Sequence, residues 1–106
     1  MARKWRSQAL TAVLVLALPV LTGAAAPAPA IVQIGAAYIA KQMCSCIFVV
    51  GRPEASCRAE FKPDIDAFTV AIDRAGLPAR AQVNATVGPV AGEATFSRGY
   101  GCVVAR

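Results

Sequence analysis

The chain has 106 residues, 57% of them hydrophobic, with eleven Lys and Arg against six Asp and Glu, four cysteines and no histidine. Without histidine there is no Ser-His or Cys-His nucleophile pair, and the commonest general base is missing. Three of the basic residues, Arg3, Lys4 and Arg6, fall at the very start, so the remainder is close to neutral and lacks the clustered positive charge that nucleic acid or an anionic membrane demands.

The opening stretch "MARKWRSQALTAVLVLALPVLTGAAAPAPA" has a basic start, an apolar run from Ala9 to Leu21 and small residues in Ala-x-Ala spacing. These are the three regions of a secretory signal peptide. Residues 1–30 are expected to be removed, by a cut after Ala25 or after Ala30, leaving residues 31–106 as a single small exported domain, periplasmic or extracellular. A retained membrane anchor is the alternative, but the apolar run is shorter than the roughly 20 residues a spanning helix needs. No cysteine follows it closely enough for a lipid-modified N-terminus, and "RKWR" lacks the paired arginines of a Tat signal. No membrane span is expected after cleavage.

Taken in chain order, "IGAAYIAKQM" is rich in alanine and unbranched side chains, and its spacing of Ile34, Tyr38 and Lys41 predicts a short helix over residues 34–43. "CIFVV" is β-branched and aromatic and predicts a buried strand or extended segment that Gly51 stops. Pro53 and Glu54 then open a helix of one to two turns. "AFTVAID" alternates Phe68, Val70 and Ile72 with polar or small residues, and "ARAQVNATVG" alternates Ala81, Val83, Ala85 and Val87 in the same way. Both predict half-buried strands, with Gly76 and Pro78 in the turn between them. A third run, "EATFSRGYGCVVA", places Phe96, Tyr100, Cys102 and Val104 in one parity class, and Gly99 and Gly101 mark a bend or bulge. The fold class expected is α+β: one or two short helices on an antiparallel β-meander of three strands, or four if residues 46–50 join. Phe48, Val70, Ile72, Val83 and Phe96 are its expected core.

A domain of this size has a marginal core and commonly adds covalent staples. Four cysteines in an exported chain therefore read as two disulfides. Direct pairing of Cys44 with Cys46 would close a loop around one residue and strain the bond. The two arrangements that join Cys44 and Cys46 separately to Cys57 and Cys102 stand nearly level, each closing one short and one long loop.

"AKQMCSCIFVVGR", followed some fifty residues later by "RGYGCVVA", resembles the N-terminal module of exported serine hydrolases related to class C β-lactamases. There a helix runs into Cys-Ser-x-x-Phe-Val-x-Gly-Arg and a later Gly-x-Gly-Cys closes the module. The matching positions are Ala40, Lys41, Cys44, Ser45, Phe48, Val49, Gly51 and Arg52, then Gly99, Gly101 and Cys102. The resemblance implies Cys44–Cys102 as the recurrent bond and leaves Cys46–Cys57 as an additional one. It does not carry the hydrolase activity over, because the catalytic serine and lysine of that family stand three apart and none of Ser45, Ser56 or Ser97 is followed by Lys at the third position.

Other constellations are weaker. Cys44 and Cys46 form a C-x-C pair suited to a soft metal or to redox chemistry, although zinc sites place two to four residues between first ligands. Asp64, Asp66 and Asp73 carry the oxygen ligands of a hard cation, and equally the charges of a solvated loop. Arg52, Arg98 and Tyr100 are a candidate recognition surface, and Asn84 begins a sequon in mid-strand. The expected function is that of a non-catalytic exported domain with a structural or partner-binding role. No catalytic residue, metal or cofactor is assigned, and an exported protein is the expected class of partner. The alternative is a thiol-active protein using Cys44 and Cys46.

Overall fold

The computed structural model describes residues 29–105. The expected signal segment lies outside the described residues apart from its last two positions. Pro29, with extended backbone, precedes the first helix, α1 (Ala30–Cys44). The helix is longer than the predicted 34–43. It continues without a break into a π-helical turn, Ser45–Val49.

That turn replaces the strand expected at "CIFVV". The β-branched run has strand propensity, but propensity is a weak prior beside tertiary constraint, and here both flanking cysteines are bonded within the helical path. Val50 N–H donates to the Ser45 carbonyl at 2.9 Å, and Gly51, at φ +81°, takes the left-handed position that ends helices. A second helix, α2 (Glu54–Glu60), follows Pro53 as the sequence indicates, and a 3-10 turn, Asp64–Ala67, leads into the sheet.

The sheet contains β1 (Thr69–Asp73), β2 (Arg80–Val87), β3 (Val90–Ser97) and β4 (Gly101–Val104), in the antiparallel order β1-β2-β3-β4. The α+β class is as expected, but the fourth strand has another origin. Residues 46–50 do not join. Instead the third run is cut in two by a tight reversal in which Gly99, at φ +84°, occupies the third position of a turn closed by Tyr100 N–H on the Ser97 carbonyl at 3.0 Å. Only a residue free to adopt positive φ suits that position. Phe96 and Cys102 are cross-strand partners, as their common parity requires, whereas Tyr100 sits on the turn and is exposed.

The helix lies across one face of the sheet. In register, Ile72 faces Val83, Val83 faces Ala94, and Ala85 faces Gly92. Against this surface α1 buries Ala36, Ile39, Ala40, Met43 and Cys44. Its expected stripe of Ile34, Tyr38 and Lys41 is therefore turned outward, with Ile34 63% and Tyr38 49% exposed. The cause is at Gly92, where a Cβ would stand 2.3 Å from the backbone carbon of Ala36. The helix backbone rests on the strand backbone there, so the apposed face must be built from small residues. Of the expected core, Val83 is fully buried, while Phe48, Val70, Ile72 and Phe96 are partly buried and packed against the central cluster. Phe48 and Phe96 stack with centroids 5.6 Å apart. By length and composition the continuous helix Ala30–Val49 could cross a membrane, but here it is the covering layer of the sheet.

Both sheet edges are closed by helix-borne cations. Lys41 Nζ donates to the Cys102 carbonyl on β4, and Arg58 Nη2 donates to the Val70 carbonyl on β1 at 3.1 Å. Unpaired edge carbonyls invite pairing with other chains, and basic side chains placed on them discourage it. Arg58 also binds Glu54 at 2.9 Å, and Arg74 reaches the same carboxylate at 3.1 Å, so Glu54 ties α2 to the end of β1.

The Arg58 hydrogen bond, with a smaller contribution from Arg74, outweighs partial burial and holds the Glu54 carboxyl below its ordinary value of 4.5. A depressed acid contributes stability above its unfolded value and loses it as pH falls through the folded one. A Glu54→Gln variant should accordingly be less stable than wild type near neutrality, by less than about 1 kcal/mol because all three side chains are partly exposed. The difference should begin to shrink as pH falls towards 4.5 and vanish only below the lower folded value, where the wild-type carboxyl is protonated. Urea unfolding of the two proteins across this range checks it, and a difference that persists in acid would mean that the ion pairs are not its source.

Candidate binding groove

The four cysteines are all bonded, Cys44 to Cys102 and Cys46 to Cys57, in the pairing the resemblance implies. An extended Cys44–Cys46 segment would put both thiols on one side, whereas here the path is helical. In a helical path residues two apart leave the axis roughly 200° apart. Cys44 thus points to β4 and Cys46 to α2, and the two bonds clamp the helix from opposite sides. No free thiol remains.

The other candidates are dispersed. Asp64 and Asp66 lie in the 3-10 turn, with Asp66 3.9 Å from Lys62. Asp73 is at the far end of β1, where its Oδ1 accepts the Ala75 N–H at 2.9 Å. Among the described residues no three metal-ligating side chains converge. Arg52 is engaged by Glu60 and by Ser56 Oγ at 2.7 Å, while Arg98 and Tyr100 occupy the β3–β4 turn. Asn84 is half-buried within β2.

A different set of residues does converge. Between the N-terminal half of α1 and the 3-10 turn is a cavity of about 410 Å³. Gly35, Tyr38 and Ile39 line it from α1, and Pro63, Ala67 and Phe68 line it from the segment around the 3-10 turn. A Cβ on Gly35 would come within 3.3 Å of Phe68 Cζ, so the ring packs over the helix where it has no side chain. Asp64, exposed, adds the one carboxylate to the lining, and it has no ion-pair partner among the described residues. Ile31, 72% exposed, and Ile34 continue the apolar surface along the same helix face as Tyr38, since residues three and four apart are helical neighbours. A contiguous exposed apolar surface of this kind is characteristic of interaction sites, unlike apolar residues scattered singly.

The sequence reading missed this site for two reasons. Helical spacing places Ile34 and Tyr38 on one stripe without saying which way it faces, and the residues around Asp64 and Asp66 read as a solvated loop. Gly35 and the Ala36–Ala40 pair were the available signals, because they mark the face where the backbone is approached closely and hence which larger side chains are left outside.

Comparison with family models, with curated proteins and with solved structures returns no match.

Proposed function

We propose that the protein is a non-catalytic exported domain that binds a protein partner in the groove between α1 and the 3-10 turn. The observation that carries this reading is the groove itself: an apolar cavity flanked by exposed Ile31, Ile34 and Tyr38 and edged by the Asp64 carboxylate. Such a site takes an aromatic or aliphatic side chain and favours a basic residue beside it. The signal-like N-terminus and the two disulfides support export, since such bonds persist in oxidising compartments. The resemblance to the hydrolase N-terminal module fits the same non-catalytic role.

Selection of displayed peptides on the oxidised protein tests the reading. Enriched sequences should combine an aromatic residue with Arg or Lys, and Tyr38→Asp should weaken them at least about tenfold, as loss of an interface aromatic does. Failure to enrich, or enrichment indifferent to Tyr38→Asp, would remove the groove from consideration. Intact mass after alkylation without reduction separates this reading from thiol activity at Cys44 and Cys46, because alkylated cysteines in the isolated protein would promote the latter.

A further inference from the structure

We infer that the groove receives the β3–β4 turn of a second copy of this chain, so that molecules associate head to tail. The inference rests on the groove being a binding site and names its occupant. The lining of the groove is apolar except for one exposed carboxylate, that of Asp64. Its complement is an aromatic side chain with a cation close by. The β3–β4 turn presents that combination. Tyr100 is 87% exposed, more than any other large hydrophobic side chain described, and Arg98 beside it is exposed with no ion-pair partner among the described residues. Tyr and Arg are the side chains that most often dominate protein interfaces.

The turn is also held in place before binding. Arg98 N–H donates to the Ala79 carbonyl at 2.9 Å and Tyr100 N–H to that of Ser97 at 3.0 Å, so docking would order little backbone. Val49, 57% exposed, adjoins the end of the turn, its Cγ2 3.9 Å from where a Cβ on Gly101 would stand. It adds apolar surface beside the knob.

The turn and the groove cannot meet within one molecule. Tyr38 borders the groove and Val49 borders the turn, and the two stand on one continuous helix, roughly 16 Å apart along its axis. The contact is therefore heterologous, each copy offering one knob and one groove, which produces a ring or an open chain.

Sedimentation velocity of the purified, oxidised protein provides the test. Wild type should show a weight-average mass that rises with concentration past the dimer. Tyr100→Ala lacks the knob and Asp64→Arg opposes Arg98 at the groove, so each alone should associate at least about tenfold more weakly. Mixed together they should form a dimer and nothing larger, because the intact knob of the Asp64→Arg protein can enter the intact groove of the Tyr100→Ala protein while the remaining knob and groove are both impaired; pairing Asp64→Arg with Arg98→Asp in a single chain should restore association by exchanging the charges. Unchanged thermal unfolding of the variants confirms folding, as all three positions are exposed. A wild type still monomeric at about 1 mM, or self-association indifferent to Tyr100→Ala, would overturn the inference. If the groove nevertheless selects peptides as described above, the binding reading stands and only the identity of the occupant is lost.

Discussion

Gly92→Ala is expected to destabilise the protein by about 3 kcal/mol, the upper end of what overpacking a core costs. The added Cβ would lie 2.3 Å from the Ala36 carbon, 2.4 Å from its oxygen and 2.4 Å from the Ala37 nitrogen. All three atoms are backbone, so no rotamer change relieves the clash. Relief requires α1 to lift from β3, which separates Ile39 and Met43 from Val83 and Ala94, all of them at or near zero exposure. At the usual 0.05–0.15 kcal/mol per residue the described domain holds only about 4–12 kcal/mol in total, so the loss is a large part of its stability. Chemical denaturation of Gly92→Ala measures it. The double variant Gly92→Ala, Ala36→Gly gives the decisive comparison. Because the obstacle is backbone, removing the Ala36 methyl should not rescue stability. Rescue, or a single-variant loss below about 0.5 kcal/mol, the size of an ordinary surface change, would show that the helix does not rest on the strand at this point.

This helix–strand contact also explains which parts of the fold were legible in the sequence. The alternation of Val70 and Ile72, and of Ala81, Val83 and Ala85, specified two strands correctly because a half-buried antiparallel strand has only one pattern that hides its apolar side. Pro53 and Glu54 located the start of α2 because a helix N-terminus is set by local chemistry. The rotation of α1 was not local information. Hydrophobicity would turn Ile34 and Tyr38 inward, but the strand beneath offers Gly92 and admits only a thin helix face, and that fact lies more than fifty residues away in the chain. The π-helical turn was illegible for a similar reason. "CIFVV" has the composition of a strand, and what keeps it helical is its attachment to β4 and α2 through distant sulfurs. The groove combines both failures, since Phe68 and Pro63 meet Gly35 and Tyr38 only after the sheet has placed them.

The second large effect is expected on removing the Cys44–Cys102 bond. It closes a separation of 58 residues, against 11 for Cys46–Cys57, and in the chain-entropy account the two contribute roughly 4 and roughly 3 kcal/mol. Each should be removed as a pair, Cys44→Ala with Cys102→Ala or Cys46→Ala with Cys57→Ala, so that no lone thiol is left to form a wrong bond. The two double variants should differ in place as well as in size. Cys102 lies on β4, a short strand that pairs with β3 alone and whose free edge is covered by Lys41 through the Cys102 carbonyl. Without the bond to α1, β4 has little else to hold it. Hydrogen exchange should quicken first at Thr95 and Val103, which face each other across that ladder, while the amides of β1 and β2 remain protected. Loss of Cys46–Cys57 should instead free α2 and quicken exchange at Cys57 and Phe61, whose amides donate to Pro53 and Cys57 carbonyls, leaving β4 protected. If the short-loop pair proved the costlier, or if both variants loosened the same amides, the two bonds would not be acting as separate clamps on opposite sides of one helix.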